Sequence, residues 1–306
     1  MRVPARVEAV VRRPPWPGTV PRPPVRRDLG VDYDTAWSRR PPARFVRALL
    51  LDNVTRPLTY LATRPKVLGS EHLAALRAPV IFAANHTSHL DTAIVLSALP
   101  ARFRHRAVVA AAADYFFDRA WKARLWPLLL GTIPMERTKV NRRSADLAAE
   151  LLGEGWSLVI FPEGGRSPDG WGQEFRGGAA YLAKRCGVPV VPIHLKGVRP
   201  LLPKGRGTLR PGTVEVRFGS PLSPLAPTPG GREEDARRFA ARIEAAVAAL
   251  ADEAESDWWS ARRRAARGTT PAFRGPQAAA WRRAWALAES ARRDRPRQPR
   301  GSAKPW

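Results

Sequence analysis

VIFAANHTSHLD, residues 80–91, joins an apolar run to a polar turn that carries two histidines and an aspartate. The apolar run, residues 80–84, is typical of a strand that is buried on both faces. Two of the five histidines of the chain, His86 and His89, follow at its end, together with Asp91. In parallel α/β sheets, functional sites collect where strands end and helices begin. The stretch therefore predicts both a fold element and a candidate site.

The same alternation of strand and helix continues along the chain. Strands are predicted at residues 80–84, 107–112, 157–161, 188–194 and 213–218. Helices are predicted near residues 91–99, 115–129, 142–153, 174–186 and 232–254. This pattern indicates an α/β domain with a mainly parallel sheet flanked by helices. Further upstream, apolar residues at helical spacing predict two short amphipathic helices within residues 42–63, with Pro57 in the first turn of the second helix.

Charge divides the 306-residue chain into three parts. The net charge is +25, of which +6 lies in residues 1–27 and +11 in residues 261–306. We therefore predict a mostly disordered basic extension rich in Pro and Arg at residues 1–41, a globular domain at 42–256 and a basic tail rich in Trp and Arg at 257–306. Basic segments of this kind bind polyanions, either nucleic acid or an anionic membrane surface.

The remaining composition narrows the cellular context. The single cysteine, Cys186, excludes an internal disulfide and fits a reducing compartment. No run approaches the roughly 18 apolar residues that a spanning helix needs. The prolines of the basic N-terminus, with no apolar segment after them, argue against a secretory signal. We expect a protein that can lie on a membrane without crossing it.

His86 and Asp91 admit three interpretations. A five-residue spacing on a regular helix separates side chains by about 140°, so the two meet only if His86 lies in the turn and Asp91 in the first helical turn. Ser88 as N-cap would place Asp91 third in the helix. Asp91 then either orients His86 as a general base or merely closes the cap. A metal site with His89 is the third interpretation, and it lacks further ligands at a motif spacing.

Two other stretches carry cations in bent segments. GTIPMERTK, residues 131–139, is predicted to form a bent loop that carries Arg137. FPEGGRS, residues 161–167, follows a buried strand; Gly164 and Gly165 let backbone amides approach an anion, and Arg166 adds a forked donor. Each stretch is also compatible with an ordinary turn.

The order of four stretches is more specific than any one of them. His-x4-Asp, Gly-x-Ile-Pro-x-x-Arg, Phe-Pro-Glu-Gly-x-Arg-Ser and, in VPVVPIHLKG at residues 188–197, Val-Pro-x-x-Pro-Ile follow one another. This series resembles the four blocks of the glycerolipid acyltransferase family, which includes the 1-acylglycerol-3-phosphate acyltransferases, over roughly residues 45–220. Gly165 departs from the pattern, because the family usually has Thr there.

The resemblance implies a fold like that of glycerol-3-phosphate acyltransferase and a specific chemistry. It implies transfer of an acyl group from acyl-CoA or acyl-carrier protein to the hydroxyl of lysophosphatidate, without a cofactor. It assigns His86 as general base, oriented by Asp91, and places the acceptor phosphate against Arg137 and the loop of Glu163, Gly164, Gly165 and Arg166. His89 matches a variable position and receives no role. Another lysophospholipid or glycolipid acceptor stays open.

The resemblance also gives the charge an interpretation. Lysophosphatidate is anionic and lies in the bilayer face, so the helices of residues 42–63 and the basic tail are expected to bind an anionic membrane surface on its cytoplasmic side. A nucleic-acid-binding protein is the competing interpretation of the +25 charge. It is disfavoured because most of the excess charge lies in the two ends and no recognition motif is visible.

Overall fold

A seven-stranded sheet forms the centre of the protein. The computed structural model describes residues 29–136, 142–167, 169–202, 209–224 and 231–275, with 281, 284 and 285. The strands are β1 (Lys66–Leu68), β2 (Ile81–Ala84), β3 (Ala107–Ala112), β4 (Thr132–Met135), β5 (Ser157–Ile160), β6 (Val190–Lys196) and β7 (Glu215–Phe218). Their order is β1-β7-β6-β2-β5-β3-β4, and only β6 and β7 pair antiparallel. The predicted α/β class with a mainly parallel sheet is confirmed.

Helices cover both faces of the sheet. They are α1 (Pro41–Leu50), α2 (Arg56–Thr63), α3 (Asp91–Ala98), α4 (Ala101–Arg104), α5 (Ala113–Phe116), α6 (Ala120–Leu130), α7 (Arg142–Gly153), α8 (Gly178–Cys186), α9 (Gly231–Glu255) and α10 (Trp258–Ala266). Side chains of β2 alternate between two cores, because successive residues of a strand point to opposite faces. Phe82 packs in a core with Ile94 of α3, and Ile81 packs in a second core with Leu151 of α7, Leu182 of α8 and helix α9.

Five predicted strands are present, within two residues at most ends, and two strands are additional. The structure corrects the predicted loop at residues 131–139, since Thr132–Met135 is the edge strand β4. Pro134 suggests a turn, yet a proline is tolerated at a sheet edge, where only one side of the strand is paired. The other strand, β1, has only three residues and pairs with β7.

The two predicted N-terminal helices are one continuous helical segment. A π-helical stretch, Leu51–Thr55, joins α1 to α2, and Pro57 lies in the first turn of α2 as predicted. Six apolar side chains of this segment are exposed: Phe45, Val46, Leu49, Val54, Leu58 and Leu61. The segment therefore presents an apolar face that the domain leaves uncovered.

The N-terminal end of the described chain packs on the domain. In the predicted extension, the backbone N–H of Gly30 donates to the carbonyl of Phe117, and Thr35 is buried. The buried guanidinium of Arg47 then anchors α1, through the carbonyls of Ser38 at 3.3 Å and Pro127 at 3.5 Å. The predictions for residues 1–28, and for the tail beyond 275 apart from three residues, lie outside the described part of the chain.

In the described part of the chain, no helix combines the length and the apolar character that crossing a membrane would require.

Candidate active site

His86 and Asp91 form a hydrogen-bonded pair at the carboxyl end of β2. His86 lies in the turn after the strand, and Asp91 is the first residue of α3. The Nδ1 atom of His86 is 2.9 Å from Oδ2 of Asp91. The aspartate side chain is fully buried, whereas the histidine side chain keeps 19% of its surface exposed. Because Nδ1 is engaged, Nε2 is the ring nitrogen that this arrangement leaves for a proton from another group.

Asp91 also closes the turn in front of α3. Its Oδ2 atom accepts hydrogen bonds from the backbone N–H of Thr87 at 2.6 Å and of Ser88 at 2.8 Å. The sequence predicts Ser88 as the N-cap, but the N-cap is Leu90 and the helix begins two residues later than that prediction implies. The Ser88 hydroxyl donates to the carbonyl of Leu202 and accepts from the backbone N–H of Leu90. Orientation of His86 and closure of the turn therefore use the same carboxylate oxygen.

Glu163 fixes the backbone of the histidine from the loop after β5. Its Oε1 accepts from the His86 N–H at 2.8 Å, and its Oε2 accepts from the Gln173 N–H at 3.2 Å. The carbonyl of His86 accepts from the Ser167 N–H at 2.8 Å. Burial raises the pKa of the Glu163 carboxyl group from 4.5 to about 8, although both amide bonds favour the charged form. Through its bond to the His86 N–H, Glu163 holds the His86 peptide in place.

Two more residues position the histidine, and neither is among the site residues predicted from the sequence. The ring of Phe161 stacks on the His86 imidazole, with centroids 4.3 Å apart and planes at 24°. The buried amide of Asn85 donates to the carbonyl of Leu195 in β6 and accepts from the N–H of the same residue. An asparagine directly after a buried strand was the available signal, because a polar side chain there needs partners.

The loop of residues 161–167, which is predicted to bind an anion, is bent as its glycines predict. Gly164 has φ +71°, and a Cβ atom there would lie 2.8 Å from the guanidinium of Arg176. A Cβ atom on Gly165 would meet nothing within 4 Å. Arg166, next in the loop, is partly buried. The remaining predicted phosphate ligand, Arg137, lies outside the described residues.

His89 and His194 each have their own surroundings. His89 stacks on Tyr115, with centroids 5.2 Å apart, and its Nε2 is 3.3 Å from the tyrosine hydroxyl. His194 is buried inside β6, where burial lowers the pKa of its imidazole to about 3. Within the described ranges, no three His, Cys, Asp or Glu side chains converge as a metal site.

Comparison with known proteins finds a similarity over the part of the chain that holds the His–Asp pair. Residues 64–196 match the family model described as Acyltransferase. Over these residues the chain is similar to the acyltransferase family, in agreement with its four ordered blocks.

The known proteins that the chain resembles carry closely related names. The chloroplastic 1-acyl-sn-glycerol-3-phosphate acyltransferase BAT2 of Brassica napus is 31% identical over 165 residues, which are 51% of this chain and 44% of that protein. The 1-acyl-sn-glycerol-3-phosphate acyltransferase alpha of Homo sapiens is 26% identical over 63% of this chain and 66% of its own. The crystal structure of the 1-acyl-sn-glycerophosphate acyltransferase PlsC from Thermotoga maritima shares 26% identity over 69% of this chain and 80% of its own, with a TM-score of 0.48. The chain thus spans less than half the length of the Brassica relative.

Proposed function

We propose that the protein transfers a fatty acyl group from acyl-CoA or acyl-carrier protein to the free hydroxyl of 1-acylglycerol-3-phosphate, which gives phosphatidic acid. The observation that carries this proposal is the 2.9 Å contact between His86 Nδ1 and Asp91 Oδ2. A hydroxyl is a poor nucleophile at neutral pH and needs a base within hydrogen-bond reach. The names of the relatives supply the acceptor.

The reaction follows from the tautomer that this contact favours. With the Nδ1 proton donated to Asp91, the Nε2 lone pair takes the proton of the acceptor hydroxyl as its oxygen attacks the thioester carbonyl carbon. The resulting tetrahedral oxyanion collapses, the C–S bond breaks, and the thiolate leaves with the proton that His86 returns. Asp91 remains ionised and stabilises the transient imidazolium. No cofactor beyond the thioester co-substrate enters these steps.

The acceptor phosphate is assigned to the loop next to the histidine. Gly164 and Gly165 add no side chains of their own to the loop, and Arg166 follows. An arginine next to a glycine turn suits a phosphate monoester. Arg137 is the second proposed ligand of this phosphate.

The same proposal places the enzyme on the cytoplasmic face of an anionic membrane as a peripheral protein. The apolar face of α1 and α2 carries side chains such as Phe45 and Leu61, which are 65% and 75% exposed. Arg44 and Arg56 belong to the same helical segment. Apolar residues flanked by cations suit an interface that contains anionic lipids.

The test is an acceptor panel with one acyl-CoA and three proteins. The wild-type enzyme should acylate lysophosphatidate in preference to other lysolipids. His86→Ala should lose about 10²–10⁴-fold in kcat, the range that a general base contributes, and His89→Ala is the matched control with near-normal kcat. A wild-type preference for a neutral lysolipid would replace the acceptor in the proposal. Full turnover by His86→Ala would remove the histidine from the chemistry.

A further inference from the structure

The segment of residues 271–275 lies beyond the matched acyltransferase region, yet it packs directly against the active-site loops. It follows α10, which is anchored to α9 by two bonds from Arg264 to Asp252, each 2.7 Å long. The backbone carbonyl of Phe273 accepts from the N–H of Gly172 at 3.0 Å. The sequence places these residues in a separate basic tail, whereas the structure joins them to the domain.

Side chains reinforce this contact. The ring of Phe273 meets the ring of Phe175 edge to face, with centroids 6.0 Å apart. The guanidinium of Arg274 binds both oxygens of Glu244 in α9, at 2.7 and 3.0 Å. The same glutamate accepts from the backbone N–H of Phe175 at 3.0 Å.

Two glycines permit the close approach. A Cβ atom added to Gly172 would lie 1.9 Å from the Phe273 ring, and one added to Gly275 would lie 2.5 Å from Trp171. Such distances are far below van der Waals contact. The two chain segments are therefore fitted to each other at backbone level.

Two further hydrogen bonds connect the loop of residues 172–175 to the histidine. The Phe273 carbonyl holds Gly172, and Glu244 of α9 holds the N–H of Phe175. Between them the N–H of Gln173 donates to Glu163 at 3.2 Å. Glu163 in turn accepts from the His86 N–H at 2.8 Å. The residues that bind this loop from outside thus limit the positions that Glu163 and the His86 backbone can adopt.

The geometry points to a positioning role for the tail: Phe273 and Arg274 clamp residues 172–175 and, through Glu163, hold His86 where it acts. The part that concerns turnover rests on the proposed acyl transfer. The clamp is not a catalytic group, because its side chains contact the loop rather than the histidine. Its loss should misplace the base, and a misplacement of about 1 Å can cost on the order of 100-fold in rate.

The first test uses kinetics on the full chain. Phe273→Ala and Arg274→Ala should each lower kcat by about 10- to 100-fold at a temperature well below unfolding, with little change in either KM. Arg267→Ala is the matched control, because it removes one exposed arginine of the same tail. Gly172→Ala should act as a wedge against Phe273. Adding Gly172→Ala to Phe273→Ala should then cost little, because the ring that it strikes is gone.

The second test does not need turnover. Hydrogen exchange of the Gly172, Gln173 and His86 amides should accelerate in Phe273→Ala and Arg274→Ala, and stay unchanged in Arg267→Ala. Unchanged exchange at all three amides would show that the clamp does not hold these loops, which overturns the inference. Accelerated exchange at Gly172 with an unaffected His86 amide and normal kcat would overturn it as well. A wild-type protein without transferase activity would refute the proposed function, while the His86 amide would still decide the clamp.

Discussion

Asp91→Asn tests the chemistry most sharply, because the structure sets how far the rate should fall. The substitution removes the charge of Asp91 but keeps the shape of its side chain. In serine hydrolases the equivalent change costs about 10⁴-fold in kcat, because the histidine adopts the wrong tautomer. Here the amides of Thr87 and Ser88, 2.6 and 2.8 Å from Oδ2, both donate to that position.

Two converging donors require an oxygen, so the asparagine carbonyl should occupy the Oδ2 position. His86 Nδ1 then keeps its acceptor and its proton, and the tautomer is preserved. Only the charge that stabilises the imidazolium is lost. We therefore expect a kcat loss of about 10²–10³-fold, smaller than a tautomer change would give and no larger than the loss in His86→Ala.

The assay is steady-state release of free thiol from acyl-CoA with lysophosphatidate as acceptor, with circular dichroism to confirm folding. His89→Ala is the control, since that ring contacts Tyr115 rather than the pair. A kcat within about threefold of the wild-type value would mean that Asp91 only closes the turn. A tenfold change in kcat corresponds to about 1.4 kcal/mol of activation free energy, so a threefold change is too small for the loss of a catalytic charge. A loss of about 10⁴-fold or more would show that the two amides do not hold the tautomer.

Further predictions concern the loops and the membrane. The pKa of Glu163 rises from 4.5 in the unfolded chain to about 8 in the folded protein, so its contribution to the free energy of unfolding is complete below about pH 4.5 and is lost as pH rises to 8. Glu163→Gln should flatten that part of the curve of unfolding free energy against pH. An unaltered slope would contradict the burial of this carboxyl group. Gly164→Ala should lower the melting temperature, since it combines positive φ with a 2.8 Å contact, whereas Gly165→Ala should not, and equal shifts would refute the loop geometry. Arg166→Ala should raise KM for lysophosphatidate about 10- to 150-fold and leave KM for acyl-CoA unchanged; the reverse result would assign the loop to the donor. Leu61→Asp should weaken sedimentation with anionic vesicles without affecting turnover of a short-chain acceptor, and unchanged sedimentation would exclude α2 from docking.

The sequence predicts the framework well where hydrophobic patterns are long. Continuous apolar runs mark β2, β3, β5 and β6, because strands buried on both faces need apolar residues at every position. It fails at the edges, where burial is partial: β1 is three residues long, and β4 contains Pro134. It also misplaces the start of α3. The Asp91 side chain turns back to accept the amides of Thr87 and Ser88, which precede the helix.

The sequence predicts the residues of the candidate site but not the contacts that hold them in place. Spacing and order indicate His86 and Asp91, since these blocks are local in the chain. The contacts that hold His86 come from distant segments, through Glu163, Phe161 and Asn85. The family resemblance predicts a substrate phosphate beside the loop of Glu163, but it does not predict that the Glu163 carboxyl group accepts backbone amides from two loops. Only the packing of the β5 loop against the β2 loop shows that arrangement.

Part of the positive charge of the C-terminal tail is paired within the domain. Residues 261–306 carry +11, and counted as a free segment they indicate attachment to an anionic surface. Arg264 and Arg274, however, are engaged with Asp252 and Glu244 of α9. Cations held in such pairs have their charge compensated within the domain, so the part of the tail that can attract lipid is smaller than its composition suggests. The same two pairs bring Phe273 to Gly172, about a hundred residues away in sequence, which no local pattern predicts. Membrane attachment and loop positioning are therefore separable properties of one basic segment: the first depends on the uncompensated charge of the tail, which salt screens, and the second depends on the contact of Phe273 with Gly172 and on ion pairs within the domain.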